Sequence, residues 1–305
     1  MGMRIGIGIG DIAGSPATLD DLIVQAKAAE ADGFASGWLA NIFGMDAILG
    51  AAFCARATTR LELGTAVVPT YPRHPVALAQ QSLTAAAATG GRFTLGIGLS
   101  HKIVIEDMFG LDYSKPARHM REYLEVLGPL LRGEPVEYRG EEYRVKSSLS
   151  VPGASRVPLL VAALGPVMLG IAGRLADGTI TWMTGPRTLA DHIAPVIGKA
   201  ARAAGRPEPR IVAGLPIALC RDAAAAREKM AKAFEIYGML PSYRAMLDRE
   251  GVAGPGDVGL VGDEAALREQ VGRLRDAGVT DFDAIVTPVE EGSEARTFEF
   301  LASLC

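Results

Sequence analysis

Residues able to take part in chemistry follow the short apolar runs of this chain. Ser100 and His101 come directly after the run Phe93–Leu99. His101 is the best candidate for proton delivery, because an unperturbed imidazole titrates near neutral pH. A plain loop-capping role is the alternative. The residues that directly follow the other runs are Gly10 and Asp11, Asn41 and Ile42, Pro69 to His74, Gly165 and Pro166, Thr184, Cys220 and Arg221, and Pro288.

The residue types at these positions disfavour two common reaction classes. They include no acidic cluster and no pair of histidines, as a metal-dependent hydrolase would require. A serine hydrolase is also disfavoured, since the chain has no G-x-S-x-G motif and adjacent residues such as Ser100 and His101 seldom face each other. A bound organic cofactor is therefore expected to supply the reactive group, which the protein positions against a substrate.

The elements that position these residues are predicted from apolar spacing. Eight short runs rich in Ile, Val, Leu and Gly alternate with segments whose apolar residues recur every three or four positions, which indicates βα units. A closed barrel buries both faces of such strands, so the prediction is an α/β protein with a (β/α)8 TIM barrel fold. An open doubly wound sheet is the alternative, but "GIGIGD" at residues 6–11 lacks the G-x-G-x-x-G fingerprint. The runs are Arg4–Ile9, Gly37–Ala40, Leu61–Val68, Phe93–Leu99, Pro158–Leu164, Gly178–Met183, Ile211–Leu219 and Phe282–Thr287.

Residues 1–305 are predicted to form a single domain with one insertion at about 103–157, over the barrel mouth. Within the insertion, alternating residues around Arg139 and Gly140 predict a β-hairpin. One long helix is predicted over Ala223–Leu247. His119 and His192 fall on predicted helices and are interpreted as surface residues.

Composition limits the partners and the compartment. A net charge of −4 and a pI near 5.7 provide no basic field, so a small-molecule substrate is expected rather than nucleic acid or a membrane surface. The three cysteines are widely spaced and odd in number, which indicates free thiols in a reducing compartment. No apolar run reaches the roughly 18 residues of a membrane span, and the N-terminus lacks a signal-peptide pattern, so a cytoplasmic protein is expected.

Three ordered motifs resemble a known family. They are L-G-T-A-V-V with R-H-P downstream (63–75), G-G-R-F-T-L-G-I-G (90–98), and A-A-L-G-P followed by A-D-G (162–178). Together they resemble the luciferase-like flavin monooxygenase superfamily, in its branch that uses the deazaflavin coenzyme F420, over essentially the whole chain. The resemblance implies a barrel of the bacterial-luciferase-like type and hydride transfer between the deazaflavin and a small organic substrate. Family members often form homodimers, and the sequence leaves the oligomeric state of this chain open.

Two other functions stay open beside this one. The first is an FMN-dependent monooxygenase that activates oxygen with flavin supplied by a reductase. The second is a non-catalytic barrel that binds deazaflavin for storage or regulation. It stays open because related deazaflavin dehydrogenases carry an Asp-His pair after the second strand, where this chain has Asn41 and Ile42. Ile42 cannot act as an acid or base, whereas the Asn41 amide can still hydrogen-bond the pyrimidine edge of the ring.

The resemblance also assigns cofactor-binding positions. In the family, the third strand ends in a bulge with a non-proline cis peptide bond that supports one face of the ring, and this bond falls between Ala66 and Val67. A plain strand end with a proline-rich turn is the alternative. Further positions are expected from their places in the chain. These are Gly98 and Ser100 beside the ring, Ala163, Leu164, Gly165 and Pro166 at a helix start that suits a phosphate, Trp182 and Met183 as a wall, and the cations Lys102, Arg118, Arg121 and Arg187 near the anionic tail. A plain helix start at 163–166, core filling by Trp182 and solvated cations are the alternatives.

Overall fold

The computed structural model describes residues 2–10 and 17–305, so the strand-end residue Asp11 lies outside the described residues. Eight parallel strands close into a barrel in the order β1, β2, β3, β5, β8, β9, β10, β12 and back to β1. This confirms the predicted (β/α)8 TIM barrel. The strands are β1 (Arg4–Ile9), β2 (Ser36–Leu39), β3 (Glu62–Thr65), β4 (Val68–Pro69), β5 (Phe93–Gly98), β6 (Val136–Arg139), β7 (Arg144–Ser147), β8 (Leu159–Ala162), β9 (Gly178–Trp182), β10 (Arg210–Leu219), β11 (Leu260–Gly262) and β12 (Asp281–Val286).

The helices surround the barrel and return the chain from each strand to the next. Several begin with a side-chain cap, such as Thr18 with Asp21 and Asp263 on the amide of Ala266. The helices are α1 (Leu19–Ala31), α2 (Ala47–Ala55), α3 (Pro75–Thr89), α4 (Pro116–Leu131), α5 (Pro166–Leu175), α6 (Pro186–Thr188), α7 (Ala194–Ala203), α8 (Ala223–Ala233), α9 (Glu235–Met239), α10 (Pro241–Glu250), α11 (Glu264–Asp276) and α12 (Ser293–Ala302).

The barrel interior contains one large aromatic ring, that of Trp38. Trp38 projects inward from β2, and glycines flank it on both neighbouring strands. A Cβ on Gly64 would lie 2.3 Å from the Trp38 ring, and one on Gly6 would lie 3.0 Å from its Nε1. The small residues of β1 and β3 therefore provide the volume that the indole occupies.

Charged side chains close the amino-terminal end of the barrel. The Arg210 guanidinium donates to both Asp281 oxygens at 2.9 and 2.6 Å and to Glu62 at 2.6 Å. Arg4 adds a 2.6 Å bond to Glu62, and the Thr94 hydroxyl donates to the same carboxylate. These ion pairs lower the pKa of Glu62 against the opposing effect of burial. The sequence analysis did not find this network.

The third barrel strand is interrupted at Ala66 and Val67, and the chain resumes as β4, which pairs with β5. The peptide bond between Ala66 and Val67 is cis, which confirms its predicted position. Thr65 anchors the interruption, because its Oγ1 donates to the Gly96 carbonyl at 2.8 Å and accepts from the Gly96 amide at 2.9 Å.

Two parts of the chain depart from or extend the predicted pattern. The predicted helix Ala223–Leu247 is wrong as one unit: it divides into α8, α9 and α10. Phe234 leaves the helical backbone region, and Leu240 is extended because the following Pro241 disfavours a helical conformation there.

Strand β11 extends the sheet outside β10. The predicted hairpin is confirmed as the antiparallel pair β6 and β7. Among the described residues, no helix combines the length and apolar character needed to cross a membrane.

Candidate active site

An apolar floor of short side chains lies at the carboxyl ends of the barrel strands. Ala66, Val67 and Ala162 are half-buried and pack on a closed layer inside the barrel. Gly98 lies among them: a Cβ there would be 2.7 Å from the Val67 side chain and 3.2 Å from the Ala162 Cβ. The predicted positions Ala66, Val67 and Gly98 thus come together. The layer beneath them consists of Trp38, Leu160, Ile180 and Val212.

His101 follows β5 on a constrained turn, three residues after Gly98. Ser100 has a φ of 60°, in the left-handed region that residues other than glycine seldom adopt and that clusters at functional sites. The Tyr113 hydroxyl donates to the Ser100 carbonyl at 3.3 Å and fixes the turn. Burial lowers the pKa of His101, so its imidazole is neutral at pH 7. The neutral ring can accept a proton from a bound molecule.

Asn41 lies at the end of β2 and is half-buried. Its side-chain oxygen accepts from the Ala47 amide at 3.1 Å and, with Asp46, caps the start of α2. Among the described residues the NH2 group of Asn41 makes no hydrogen bond, so its donors can serve a ligand. The next residue, Ile42, is 61% exposed and carries no titratable group, as predicted from its type.

The turn at residues 163–166 opens helix α5. Ala163 is buried, whereas Gly165 and Pro166 are exposed. No side chain in the described part of the chain caps the first turn of α5, so this helix start can offer backbone amides to an anion. The Leu164 carbonyl accepts from His192 Nε2 at 2.8 Å, which ties α5 to the following helical segment. His192 is buried, so its interpretation as a surface residue was wrong.

Trp182 and Met183 end β9 in different environments. Trp182 is half-buried and contacts Phe234 and Tyr237, with ring centroids 5.6 and 5.9 Å away. Met183 is fully buried in the main core, and its φ of 52° makes it the second left-handed residue other than glycine in the described part of the chain. Of the two, Trp182 is the one whose side chain reaches the mouth.

The four cations predicted near an anionic tail each lie within 4 Å of a carboxylate. Lys102 and Arg187 each pair with a carboxylate four residues further along the chain, while Arg118 bridges α4 to the hairpin. Exposed pairs contribute little to stability, so their partners are readily exchanged for another anion. The partners are Glu106 for Lys102, Glu141 and Glu142 for Arg118, Glu122 for Arg121, and Asp191 for Arg187.

A ring cluster missed by the sequence analysis supports the turn after β4. His119 on α4 is buried, so its interpretation as a surface residue was wrong. Its ring stacks on Tyr71 at 3.9 Å, and its nitrogens are hydrogen-bonded to the Thr70 and Tyr143 hydroxyls at 2.9 and 3.3 Å. Burial lowers the pKa of His119 to about 4. The Tyr71 ring also stacks on Tyr113, which joins this cluster to the Ser100 turn.

Asp283 is a second residue that the sequence analysis missed. It points into the barrel from β12, between Gly6 and Gly214 on the neighbouring strands. Its Oδ1 is buried and has no hydrogen-bond partner among the described residues. Burial raises the pKa of Asp283 to about 8, so the carboxyl group is mainly protonated at pH 7. An acidic residue at an inward position of an apolar strand was the signal available in the sequence.

Comparison with known proteins identifies relatives of this chain. The 5,10-methylenetetrahydromethanopterin reductase of Methanopyrus kandleri is 28% identical over 303 residues, which are 83% of this chain and 85% of that protein. A Mycobacterium tuberculosis relative, provisionally named a coenzyme F420-dependent oxidoreductase, is 30% identical over 200 residues. That match spans 61% of this chain and only 57% of the relative.

Solved structures share the fold at low identity. An F420-dependent secondary alcohol dehydrogenase in complex with an F420-acetone adduct superposes with a TM-score of 0.81 at 19% identity, covering 100% of this chain and 98% of that one. The FMN-bound oxygenating component of a Pseudomonas putida diketocamphane monooxygenase gives 0.77 at 18% identity, covering 98% and 96%. The family model described as luciferase-like monooxygenase matches residues 1–295. The chain therefore belongs to the luciferase-like monooxygenase family, a family of enzymes.

Proposed function

We propose that this protein is an F420-dependent oxidoreductase that transfers a hydride between the deazaflavin ring and a small organic substrate at the carboxyl-terminal mouth of the barrel. The observation that carries the proposal is the apolar floor of Ala66, Val67 and Ala162, with Gly98 among them. The name of the M. tuberculosis relative and the F420-acetone adduct in the alcohol dehydrogenase structure support F420 as the cofactor. The insertion at about 103–157 belongs to this single domain, and the protein acts in the cytoplasm.

The residues at the mouth fit a deazaflavin. The floor consists of the short side chains of Ala66, Val67 and Ala162, and it stays in place because Gly98 has no Cβ that would crowd Val67 and Ala162. The NH2 group of Asn41 is available to a carbonyl at the pyrimidine edge, and the uncapped first turn of α5 at Gly165 and Pro166 suits a phosphate. When bound, F420 supplies two-electron hydride chemistry at the carbon that replaces the central ring nitrogen of a flavin.

His101 is the residue proposed to move the proton. Its imidazole nitrogen accepts a proton from the substrate when the substrate is oxidised, and returns it in the opposite direction. The lowered pKa favours the neutral acceptor as the resting form. Ser100 and Tyr113 hold the turn that presents this ring. Trp182 and the floor exclude water from the face where hydride is exchanged.

An FMN-dependent monooxygenase is the second candidate, and the FMN-bound structural neighbour is the specific observation in its favour. Titration of the purified protein with F420 and with FMN, followed by cofactor fluorescence, separates the two. The proposal predicts binding of F420 at least about tenfold tighter than that of FMN. Tight FMN binding without F420 binding would establish the second candidate instead. Binding of F420 without turnover of any substrate tested would favour the non-catalytic barrel.

A further inference from the structure

We propose that the substrate of this site is a planar organic molecule without an anionic group, held against an aromatic wall formed by Trp182, Tyr237 and Tyr243. The inference rests on the proposed function, because it names the class of molecule that this mouth accepts. It follows from how α9 and α10 lie over the barrel, from the contacts that hold them there, and from the distribution of their charges.

The aromatic wall is continuous from one strand end to another. Trp182 at the end of β9 contacts Tyr237 of α9, with ring centroids 5.9 Å apart and planes at 73°. Tyr237 contacts Tyr243 of α10 at 5.0 Å and 81°, and Tyr243 reaches His101 at 5.8 Å. All four rings are half-buried, so each retains surface for a ligand. Edge-to-face rings of this kind leave flat faces against which a planar molecule packs.

The wall is fixed in place by contacts at its far end. The Glu250 carboxylate accepts from the backbone amides of Arg187 at 3.1 Å and Thr188 at 2.7 Å. The Thr188 hydroxyl donates to the Met246 carbonyl at 3.3 Å. Gly185 allows this approach, because a Cβ there would lie 2.3 Å from the Glu250 carboxyl carbon. Helix α10 is thereby attached to the start of α6, and the tyrosines are held at the mouth.

The charges of α9 and α10 are directed away from the wall. Arg244 donates to Asp248 at 2.9 Å and to the carbonyls of Val252 and Ala253 at 3.0 and 2.8 Å. An anionic substrate would have to be desolvated against aromatic rings without a counter-ion, which is costly. An uncharged planar molecule loses little on the same transfer and gains ring contacts. The other charged residues of the two helices, apart from the anchored Glu250, are the exposed Glu235 and Arg249.

The test is a pair of probes that share one ring system and differ in charge. The uncharged 2-acetonaphthone and the anionic 2-naphthoate are titrated calorimetrically into the protein, with and without saturating F420. The variants Tyr237→Leu and Tyr243→Leu keep apolar volume but remove the planar rings. Tyr138→Leu, in the hairpin that packs on α4, is the matched control. F420 affinity and the unfolding transition are measured for every variant.

The proposal predicts that 2-acetonaphthone binds the wild type at least about tenfold tighter than 2-naphthoate. Each wall variant should weaken its binding by about tenfold or more, while Tyr138→Leu leaves it unchanged. Equal affinity for the two probes, no binding of 2-acetonaphthone, or unchanged binding in both wall variants would overturn the proposal. If a wall variant does not unfold cooperatively, the comparison of probes on the wild type decides. Failure of F420 to bind would refute the proposed function separately, since the unliganded titration still reports on the wall.

Discussion

Asp283 shows, for a single residue, how burial inside the barrel changes the protonation of a carboxyl group. The pKa of its carboxyl is raised by burial from 3.8 to about 8, so between these pH values the folded state holds a proton that the unfolded state has released. The stability associated with this proton is fully present below about pH 4 and is lost as the pH rises through 8. The glycines on the strands to either side leave space beside the carboxyl but offer it no side-chain partner.

Replacing Asp283 with Asn should therefore stabilise the protein at alkaline pH. The amide cannot ionise, so the free energy of unfolding of Asp283→Asn should exceed that of the wild type by at least about 1 kcal/mol at pH 8, with little difference at pH 4. Urea unfolding at several pH values measures the difference. Asp107→Asn, which removes an exposed carboxylate, is the control. The raised pKa of Asp283 would be contradicted if the difference in free energy of unfolding between Asp283→Asn and the wild type did not increase from pH 4 to pH 8.

The pKa of His119 is shifted in the opposite direction to that of Asp283, so its effect on stability has the opposite dependence on pH. Its pKa falls from 6.5 to about 4 in the folded state, so between these values the unfolded state binds a proton that the folded state does not. The stability that depends on the neutral ring is present above pH 6.5 and is lost as the pH falls toward 4. His119→Gln should show a shallower loss of stability over this range. At pH 7 the variant should be less stable by roughly 1–2 kcal/mol, since it disturbs the bonds to Thr70 and Tyr143. Identical acid slopes in the two proteins would refute this account.

At the scale of elements, the contact between the interrupted third strand and β5 depends on a glycine. A Cβ on Gly96 would lie 2.0 Å from the Thr65 carbonyl oxygen, a distance that the backbone cannot accommodate without moving. Gly96→Ala should lower the free energy of unfolding by about 3 kcal/mol or more, judged by denaturant titration. Gly254→Ala is the control, because a Cβ there has no atom within 4 Å. A change in Gly96→Ala no larger than that in the control would show that the strand end is not closely packed.

The strands of this barrel were predictable because both of their faces are buried. Such a strand is a continuous apolar run, which can be identified in the sequence without knowledge of its neighbours. Arg4–Ile9 was predicted to its observed ends, and its alternating glycines face the interior. Three-dimensional contacts explain what was missed. Strand β11 is too short to show a recognisable apolar pattern in the sequence. The division of the helix after β10 depends on Phe234 leaving the helical backbone region as well as on Pro241. His119 gives no sign of burial in the sequence, because its partners lie up to 49 residues away in the chain.

The candidate site was predictable only in part, for a similar reason. The family resemblance located the interruption at Ala66 and Val67, and the cis bond there is confirmed. Spacing alone gave no account of the contact between Tyr243 and His101, since α10 and β5 are distant in the chain. Nor did it predict that the Asn41 oxygen is already bound to Ala47. The roles of these residues toward a cofactor stay predictions.

At the scale of the whole molecule, the two ends of the barrel have different chemistry. The amino-terminal end holds the ion pairs of Arg210, Glu62 and Asp281, and the carboxyl-terminal end presents the apolar floor. In barrel enzymes the first end serves stability and the second serves reaction. A change at the amino-terminal end should therefore alter stability without altering cofactor binding.

Arg210→Leu tests this separation. It leaves the buried Asp281 and the partly buried Glu62 without this cation, so the free energy of unfolding should fall by about 3–5 kcal/mol while F420 affinity is retained in the folded fraction. Arg202→Leu removes an exposed pair with Glu208 and should cost less than about 1 kcal/mol. Denaturant unfolding and F420 titration on the same samples compare the two variants. Loss of F420 binding in well-folded Arg210→Leu would show that the two ends are coupled.

The central claim is that a deazaflavin ring rests on the floor at Ala66 and Val67, and F420 titration of the wild type beside Gly98→Ala tests it most directly. The added Cβ would lie 2.7 Å from the Val67 side chain and displace it from the floor. The account predicts that the wild type quenches F420 fluorescence on binding and that Gly98→Ala, still cooperatively folded, binds about tenfold more weakly or worse. Gly254→Ala should bind as the wild type does. Wild-type F420 affinity in Gly98→Ala, or no F420 binding by the wild type, would contradict the claim.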